Sequence, residues 1–388
     1  MDFTVTQDHK ELREAIASHC AKYPDEYWAE KDRLHEFPQD FLETFADAGF
    51  LGLALPEEYG GGGLGVTEAA IMMETIAASG GGLSACSTVH MPVFGLLPIV
   101  HHGSESLKQR FLPRAAEGRL RVSFAVTEPT AGTDMSRLST TARKVDGGWL
   151  INGQKMWISG AQGAERLLII ARTTPREDCT KPTDGMTLFF AENDKDHVTA
   201  QEISKIGRHA VDSNMLFIDD LFVADEDVVG EVGRGFRCLL DGLNGERVLV
   251  AAECLGIGRA ALRRAVDYAN ERIVFDRPIG MNQGVQFPLA QSLADLDAAE
   301  LVMRKAAWLF DQGLPAGREA NSAKLLCSTA GFNAADRAIQ VHGGMGYATE
   351  YHVGRYWHEV RLLRITPIAN ELVLSYLAEH VLGLPRSY

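Results

Sequence analysis

Three regimes of hydrophobic spacing follow one another along the chain. Up to about residue 120 the apolar positions recur at helical intervals. Thr6 stands where a cap is expected, ahead of a face formed by Leu12, Ala15, Ile16, His19 and Tyr23. Pro38 opens a second helix with Phe41, Leu42, Phe45 and Ala48 on one side and Gly49 past its end. The glycine runs 60–63 and 80–82 follow no strand and open no helix with a Lys, so they read as flexible connections rather than a phosphate cradle. Near Arg121 the period shortens. Residues 122–126, 139–145, 149–151, 167–171, 186–191 and 215–218 are short β-rich runs, with hairpin-type turns at Asp146-Gly147-Gly148 and Asn152-Gly153. Such closely spaced strands suit a small antiparallel barrel or sandwich, and residues 175–184 read as an exposed loop. From about Gly235 longer helices return: 247–272, then 288–310 with Leu289, Leu293 and Leu296 on one face, then two more within 349–383. The expected division is 1–120 helical, 121–232 β and 233–388 a helical bundle.

Composition narrows the class. A chain of 388 residues with 46% hydrophobic and 23% charged residues is long enough for two or three packed domains and ordinary for a soluble protein. A net charge of −14 argues against non-specific nucleic-acid or anionic-membrane binding. The six cysteines are scattered without a C-x-x-C, which predicts reduced thiols rather than a disulfide framework or zinc site. Met1-Asp2-Phe3-Thr4 lacks a signal pattern, and the apolar run 91–100 is short and interrupted by Pro92 and Pro98, so no membrane span and a cytoplasmic enzyme are expected. Gly256-Ile257-Gly258-Arg259-Ala260-Ala261 fits a loose dinucleotide pattern, but no β-α-β unit surrounds it, and it reads as a helix with small residues where another helix crosses. His352 and His358 lack metal-ligand spacing, and no G-x-S-x-G nucleophile turn occurs.

Two stretches carry the chemistry. Phe124-Ala125-Val126-Thr127-Glu128-Pro129-Thr130-Ala131-Gly132-Thr133-Asp134 runs from a strand into a polar turn, whose backbone N–H groups and hydroxyls suit a polar ring or an anion. Gly153-Gln154-Lys155-Met156-Trp157-Ile158-Ser159-Gly160 is a second strand ending in a hydroxyl. Either alone also reads as an ordinary β-turn. Together, with Leu55-Pro56-Glu57-Glu58-Tyr59-Gly60-Gly61 and Gln340-Val341-His342-Gly343-Gly344-Met345-Gly346-Tyr347, they resemble the acyl-CoA dehydrogenase family over nearly the whole chain.

The resemblance implies a fold that is mostly α with a central β-domain: an N-terminal helical domain, an antiparallel β-barrel-like middle domain and a C-terminal four-helix bundle. It implies an FAD flavoprotein, a homotetramer with a place in fatty acid and lipid metabolism. Residue by residue, Val126 and Thr127 fall where the family meets the flavin pyrimidine side, Trp157 near the ring and Ser159 near N5, with Phe124 and Ile158 also among the cofactor-binding positions. Arg272, Phe275, Gln283, Gln340 and Gly344 fall where the FAD diphosphate and adenosine are held, partly from a neighbouring subunit. Thr133 falls near the thioester arm, and Arg247 on the CoA side. For each Arg a surface or interhelix salt bridge is the other reading.

Oxidising an acyl thioester between its α and β carbons needs a base for the α-proton, a hydride acceptor and donors to the thioester carbonyl. No side chain accepts hydride, so a cofactor is required. The base is best a carboxylate in a dry pocket. In most of the family it is the first Glu of an R-x-x-x-I-Y-E-G-T-S-E run. Here that run is Arg361-Leu362-Leu363-Arg364-Ile365-Thr366-Pro367-Ile368-Ala369-Asn370-Glu371, with Pro367 at the Glu position and no group to take a proton. A minority, isovaleryl-CoA dehydrogenase among them, supplies the Glu from an earlier helix. Leu243-Asn244-Gly245-Glu246-Arg247 matches that context, so Glu246 is the expected base, on the first turn of a helix; the other reading is a helix-start Glu favoured by the macrodipole, with Asn244 as cap. Glu371, and no dehydrogenation base at all, are the alternatives. Ile368-Ala369, His358-Glu359 and Asp276 also depart from the family pattern. The expected reaction converts an acyl-CoA into a trans-2-enoyl-CoA and passes electrons to an electron-transfer flavoprotein. The alternatives are another flavin reaction on the same fold (oxidase, desulfinase or monooxygenase) and a silent acyl-CoA or flavin binder.

Overall fold

The computed structural model describes residues 5–387; the Met1–Thr4 stretch lies outside it. The N-terminal part is built from α1 (Gln7–Cys20), α2 (Asp25–Leu34), α3 (Gln39–Asp47), α4 (Val66–Ile76), α5 (Gly82–Phe94), α6 (Leu97–His102) and α7 (Glu105–Ala116). Thr6 caps α1, its hydroxyl accepting from the His9 N–H at 3.2 Å. The helix ends at Cys20, so Tyr23 packs from the turn beyond it. The 80–82 glycines depart from expectation. They kink a buried helical run instead of forming a flexible connection. Gly80 and Gly82 have φ of +108° and +59°, and a Cβ on Gly82 would stand 2.1 Å from the Glu359 carboxylate. That carboxylate, on a C-terminal helix, accepts from the Leu83 N–H at 2.7 Å and the Ser84 hydroxyl at 2.6 Å, and so fixes the start of α5. Pro92 does not interrupt α5. The run from Val66 to His102 is apolar and long enough to cross a bilayer, yet 83% of its most apolar stretch is buried inside the protein, as in a core helix.

The middle part is one sheet of β1 (Val122–Ala125), β2 (Thr141–Val145), β3 (Gly148–Ser159), β4 (Arg166–Arg172), β5 (Met186–Glu192), β6 (Val198–Glu202), β7 (Ser213–Ala224) and β8 (Val228–Val229). Its order is β6-β7-β3-β2-β4-β5-β8 with β1 beside β4. Pairing is antiparallel except for β1 with β4 and a single position of β2 with β4. Asp146-Gly147-Gly148 makes the β2–β3 hairpin. Asn152-Gly153 is not a turn. It lies inside β3, where the register against β7 slips between Ile151 and Gly153. Gly153 has φ +155°, and a Cβ there would stand 2.5 Å from the Thr140 hydroxyl, so glycine serves a bulge rather than a reversal.

The C-terminal part comprises α8 (Gly235–Glu271), the hairpin β9 (Ile273–Val274) and β10 (Arg277–Pro278), α9 (Gln283–Asp311), α10 (Gly317–His342), α11 (Val353–Leu362) and α12 (Asn370–Tyr376). The long helix α8 begins at Gly235, well ahead of the expected 247. Its Gly256 and Gly258 lie at helix crossings: a Cβ would meet the Glu74 carbonyl at 2.4 Å and the Gly331 Cα at 2.8 Å. On α9, Leu289 and Leu296 are buried, but Leu293 faces outward, so the expected three-leucine face is two residues wide. One hydrophobic cluster joins α1–α5 to α8–α11, while the β-domain has its own core.

Candidate active site

The two chemistry-bearing stretches are held together by a buried ion pair. Lys155 donates to the Glu128 carboxylate at 2.9 Å, to the Ile170 carbonyl at 2.7 Å and to the Val126 carbonyl at 3.2 Å. Glu128 also accepts from the Ser139 N–H at 2.6 Å, the Ser139 hydroxyl at 2.7 Å and the Thr140 N–H at 3.0 Å. Both side chains are fully buried. Burial alone would raise the Glu128 carboxyl, but the Lys155 charge and these hydrogen bonds hold it down at about 2. Burial pushes Lys155 down to about 8, against the pull of Glu128. We take the pair as ionised at neutral pH, because every acceptor and donor of both groups is matched. Neither residue was singled out for this role in the sequence.

The pair sets Val126 and Thr127 against β3, where the Met156 N–H donates to the Thr127 carbonyl at 2.8 Å. A second register slip, between Lys155 and Ile158, then drives Trp157 into the left-handed region at φ +62°. Trp157 is 53% exposed there, an unpacked aromatic face on a strained residue. Phe124 is partly buried on β1, Ile158 turns its side chain into the β-domain core, and Thr133 is exposed in the turn.

Ser159 has an unexpected partner. Arg208 donates to the Ser159 hydroxyl at 3.0 Å, to the Ser213 hydroxyl at 3.0 Å and to the Ser87 hydroxyl on α5 at 2.9 Å. Ser87 lies three residues before His90, so both stand on one face of α5, with Cβ atoms about 5–6 Å apart. The His90 ring reaches across to α8, with Nε2 2.7 Å from the Glu246 carboxylate and Nδ1 2.8 Å from that of Glu253. Burial works to lower the His90 pKa, but the two carboxylates win and hold it well above the ordinary value, so the ring is an imidazolium donating from both nitrogens.

This geometry corrects the reading of Glu246. It lies within α8, not on a first turn, and Asn244 is no cap: its side chain accepts from Arg247 at 2.8 Å. The helix continues through this segment because Gly245 is a contact surface, where a Cβ would stand 2.3 Å from the Phe94 ring. Nor is the surrounding dry and apolar. Glu246 is 27% exposed and its neighbour is a cation. The overlooked Glu253 had a visible signal, a lone acid inside the apolar run 248–257 and seven residues, about two helical turns, after Glu246.

Around the Pro367 loop, buried Lys324 holds the Ile368 carbonyl at 2.5 Å and the Asn370 side chain at 2.7 Å. Glu371 is exposed on the first turn of α12. Arg247 lines a cavity of about 380 Å³ with Asn321, Ile368 and Tyr376. The remaining expected cofactor positions gather at the other end of the bundle. Arg272 caps α8, Phe275 is 93% exposed at the β9–β10 tip with φ +53°, and Gln283 opens α9. Gln340 and Gly344 are exposed at the end of α10, which meets α8 through a Tyr268–His342 stack at 4.3 Å, and nothing lies within 4 Å of a Cβ on Gly344.

Comparison with known proteins assigns this arrangement. Residues 6–119 match the acyl-CoA dehydrogenase N-terminal domain, 123–221 the middle domain and 233–382 the C-terminal domain. An acyl-CoA dehydrogenase of Mycobacterium tuberculosis is 38% identical across 100% of this chain and 99% of its own length. An acyl-CoA dehydrogenase of Bacillus subtilis is 32% identical across 98% of this chain and 99% of its own. Among solved structures, the glutaryl-coenzyme A dehydrogenase–glutaryl-CoA complex superposes with a TM-score of 0.94 at 30% identity, covering 100% of this chain and 98% of its own. Butyryl-CoA dehydrogenase from Megasphaera elsdenii gives 0.93 at 30% identity over 98% and 100%. The sheet with its bulged β3, the bundle and the matches along the whole chain lead to one assignment: this protein belongs to the acyl-CoA dehydrogenase family of FAD-binding oxidoreductases.

Proposed function

We propose that the chain binds FAD and an acyl-CoA thioester, with Glu246 as the base that takes the α-proton, as in the isovaleryl-CoA dehydrogenase subgroup. The observation that carries this reading is the placement of Ser87 and His90 on one turn of α5. Through Arg208 the first reaches the Ser159 hydroxyl, and the second binds the Glu246 carboxylate directly. A hydroxyl for the cofactor and a carboxylate for the substrate are thereby set on opposite ends of one short polar line.

The residues fit a flat ring. Trp157 offers an uncovered aromatic face at a strained φ, and the Ser159 oxygen is occupied by an Arg208 donor, which leaves its own proton to give. FAD, when bound, supplies the acceptor for the hydride that leaves the β-carbon. Ser159 would donate a hydrogen bond near N5, the Val126 and Thr127 segment would meet the pyrimidine side, and Trp157 would pack near the ring. Glu246 removes the α-proton, and the product is a trans-2-enoyl-CoA. Thr133 and Arg247 serve the CoA thioester. Arg272, Phe275, Gln283, Gln340 and Gly344 serve the FAD diphosphate and adenosine, partly across subunits of a homotetramer. The exposed Phe275, Phe287, Leu301 and Trp308 support such an assembly. Electrons pass to an electron-transfer flavoprotein in the cytoplasm. A solved electron-transferring flavoprotein structure from Acidaminococcus fermentans, whose matched chain superposes at a TM-score of 0.92 and 30% identity, supports that partner.

The test is anaerobic bleaching of the yellow protein by a panel of acyl-CoAs. Glu246→Gln abolishes bleaching and keeps the flavin; full bleaching in that variant moves the base elsewhere. Recolouring in air with peroxide assigns an oxidase instead.

A further inference from the structure

Arg208 is the least ordinary charge in the β-domain. Its side chain is nine-tenths buried, at 8% exposure, on a residue with φ +57°. Among the described residues no carboxylate lies within salt-bridge distance of it. Its hydrogen-bond partners are three serine hydroxyls, and its Nε has no partner. Glu359, Glu253 and Asp212 act on it only through space. An isolated buried charge costs several kcal/mol, and a guanidinium stays protonated in proteins, so the cost cannot be avoided by losing the proton.

The direction of its hydrogen bonds gives the cost a use. A guanidinium only donates. The Ser159 oxygen therefore accepts from Arg208, and the Ser159 proton must go to another acceptor. The same geometry leaves a full positive charge one hydroxyl behind whatever Ser159 binds.

We propose that Arg208 is a positioning residue for the flavin: it turns the Ser159 proton toward N5 and places a buried positive charge behind that end of the ring. This rests on the reading of Ser159 as the N5 contact. A ring that accepts a hydride gains one negative charge, so the Arg208 charge favours the reduced cofactor over the oxidised one.

The experiment measures the two-electron midpoint potential of bound FAD, by anaerobic titration against a reference dye, in wild type, Arg208→Met, Arg208→Gln and Ser159→Ala. FAD affinity and the melting temperature of each are recorded beside it. Arg208→Met is expected to weaken the equilibrium for two-electron reduction at least tenfold, about 30 mV toward lower potential. Arg208→Gln, which keeps a donor but no charge, is expected to shift in the same direction and carries the test if the Met variant does not fold. An unchanged midpoint in folded, FAD-loaded Arg208→Gln overturns the proposal while leaving the dehydrogenase reading standing. Failure of the wild-type protein to take up FAD overturns both.

Discussion

Glu246 and His90 meet at 2.7 Å across the gap between α8 and α5, and the far nitrogen of the same ring is 2.8 Å from Glu253. The candidate base is thus one arm of a carboxylate–imidazolium–carboxylate line whose inner acid is 2% exposed. Removing the ring strands Glu253 as an uncompensated buried charge, which costs about 3–5 kcal/mol. His90→Gln keeps the shape and part of the hydrogen bonding. It is expected to lower the bleaching rate about 100-fold, because a carboxylate displaced by about 1 Å loses that much. Stopped-flow bleaching at saturating acyl-CoA reads it, and a wild-type rate removes His90 from the positioning of Glu246.

The same ring sets a pH dependence. Its folded-state pKa is raised above the ordinary value of about 6.5. Stability from the line is therefore complete below pH 6.5 and declines as pH rises through the raised value. Melting temperature followed from pH 6 upward should fall more steeply in wild type than in His90→Gln. Parallel curves mean the ring is not charged.

Lys155 and Glu128 predict the opposite slope. The Glu128 carboxyl sits at about 2, below its ordinary value of 4.5, so its contribution is complete above pH 4.5 and lost as pH falls toward 2. Lys155→Met leaves Glu128 buried without its partner and should cost about 3–5 kcal/mol, whereas Glu128→Gln with Lys155→Met should recover much of it. Denaturant titration of the two variants decides. If the double variant is no better than the single, the pair matters for shape and not for charge.

Trp157 separates stability from binding. Its left-handed φ costs about 1–2 kcal/mol in any residue but glycine, and its ring is half exposed. Trp157→Gly should leave the melting temperature of the FAD-free protein unchanged or raised, while weakening FAD binding about tenfold or more. Flavin fluorescence titration measures the second effect; equal affinity in both proteins places the ring elsewhere.

Gly245→Ala sets helix propensity against packing. Alanine gains up to about 1 kcal/mol inside a helix, but its Cβ would stand 2.3 Å from the buried Phe94 ring, and overpacking costs about 1–3 kcal/mol. The expected net effect is a loss, with slower bleaching because the neighbouring Glu246 moves too. A melting temperature above wild type means that Phe94 yields freely.

Much of this was legible from residue order alone. The change from helical to alternating spacing near Arg121 and back near Gly235 marks where β1 and α8 lie, because each period follows from backbone geometry. The Ser159 strand end and the Glu246 helix were readable as motifs. What sequence could not supply were relations between distant segments. Asn152-Gly153 has turn chemistry, yet β7 continues past it and makes it a bulge. Asn244 and Gly245 look like a helix start, but close contact with Phe94 explains that glycine and the helix runs on. His90, 156 positions from Glu246, and Arg208, 121 from Ser87, carry no local pattern. Their roles exist only once α5 is seated between the sheet and the bundle.

Seating both polar contacts on a single turn of α5 makes that helix a common axle. Its start is pinned by Glu359 from α11 and its flank is set by the glycine kink before it. Rotation or sliding of the rod by a fraction of a turn would disengage Ser87 and His90 in the same movement. A mutation in the kink or at Glu359 would then disturb the Ser87–Arg208–Ser159 and His90–Glu246 contacts in lockstep.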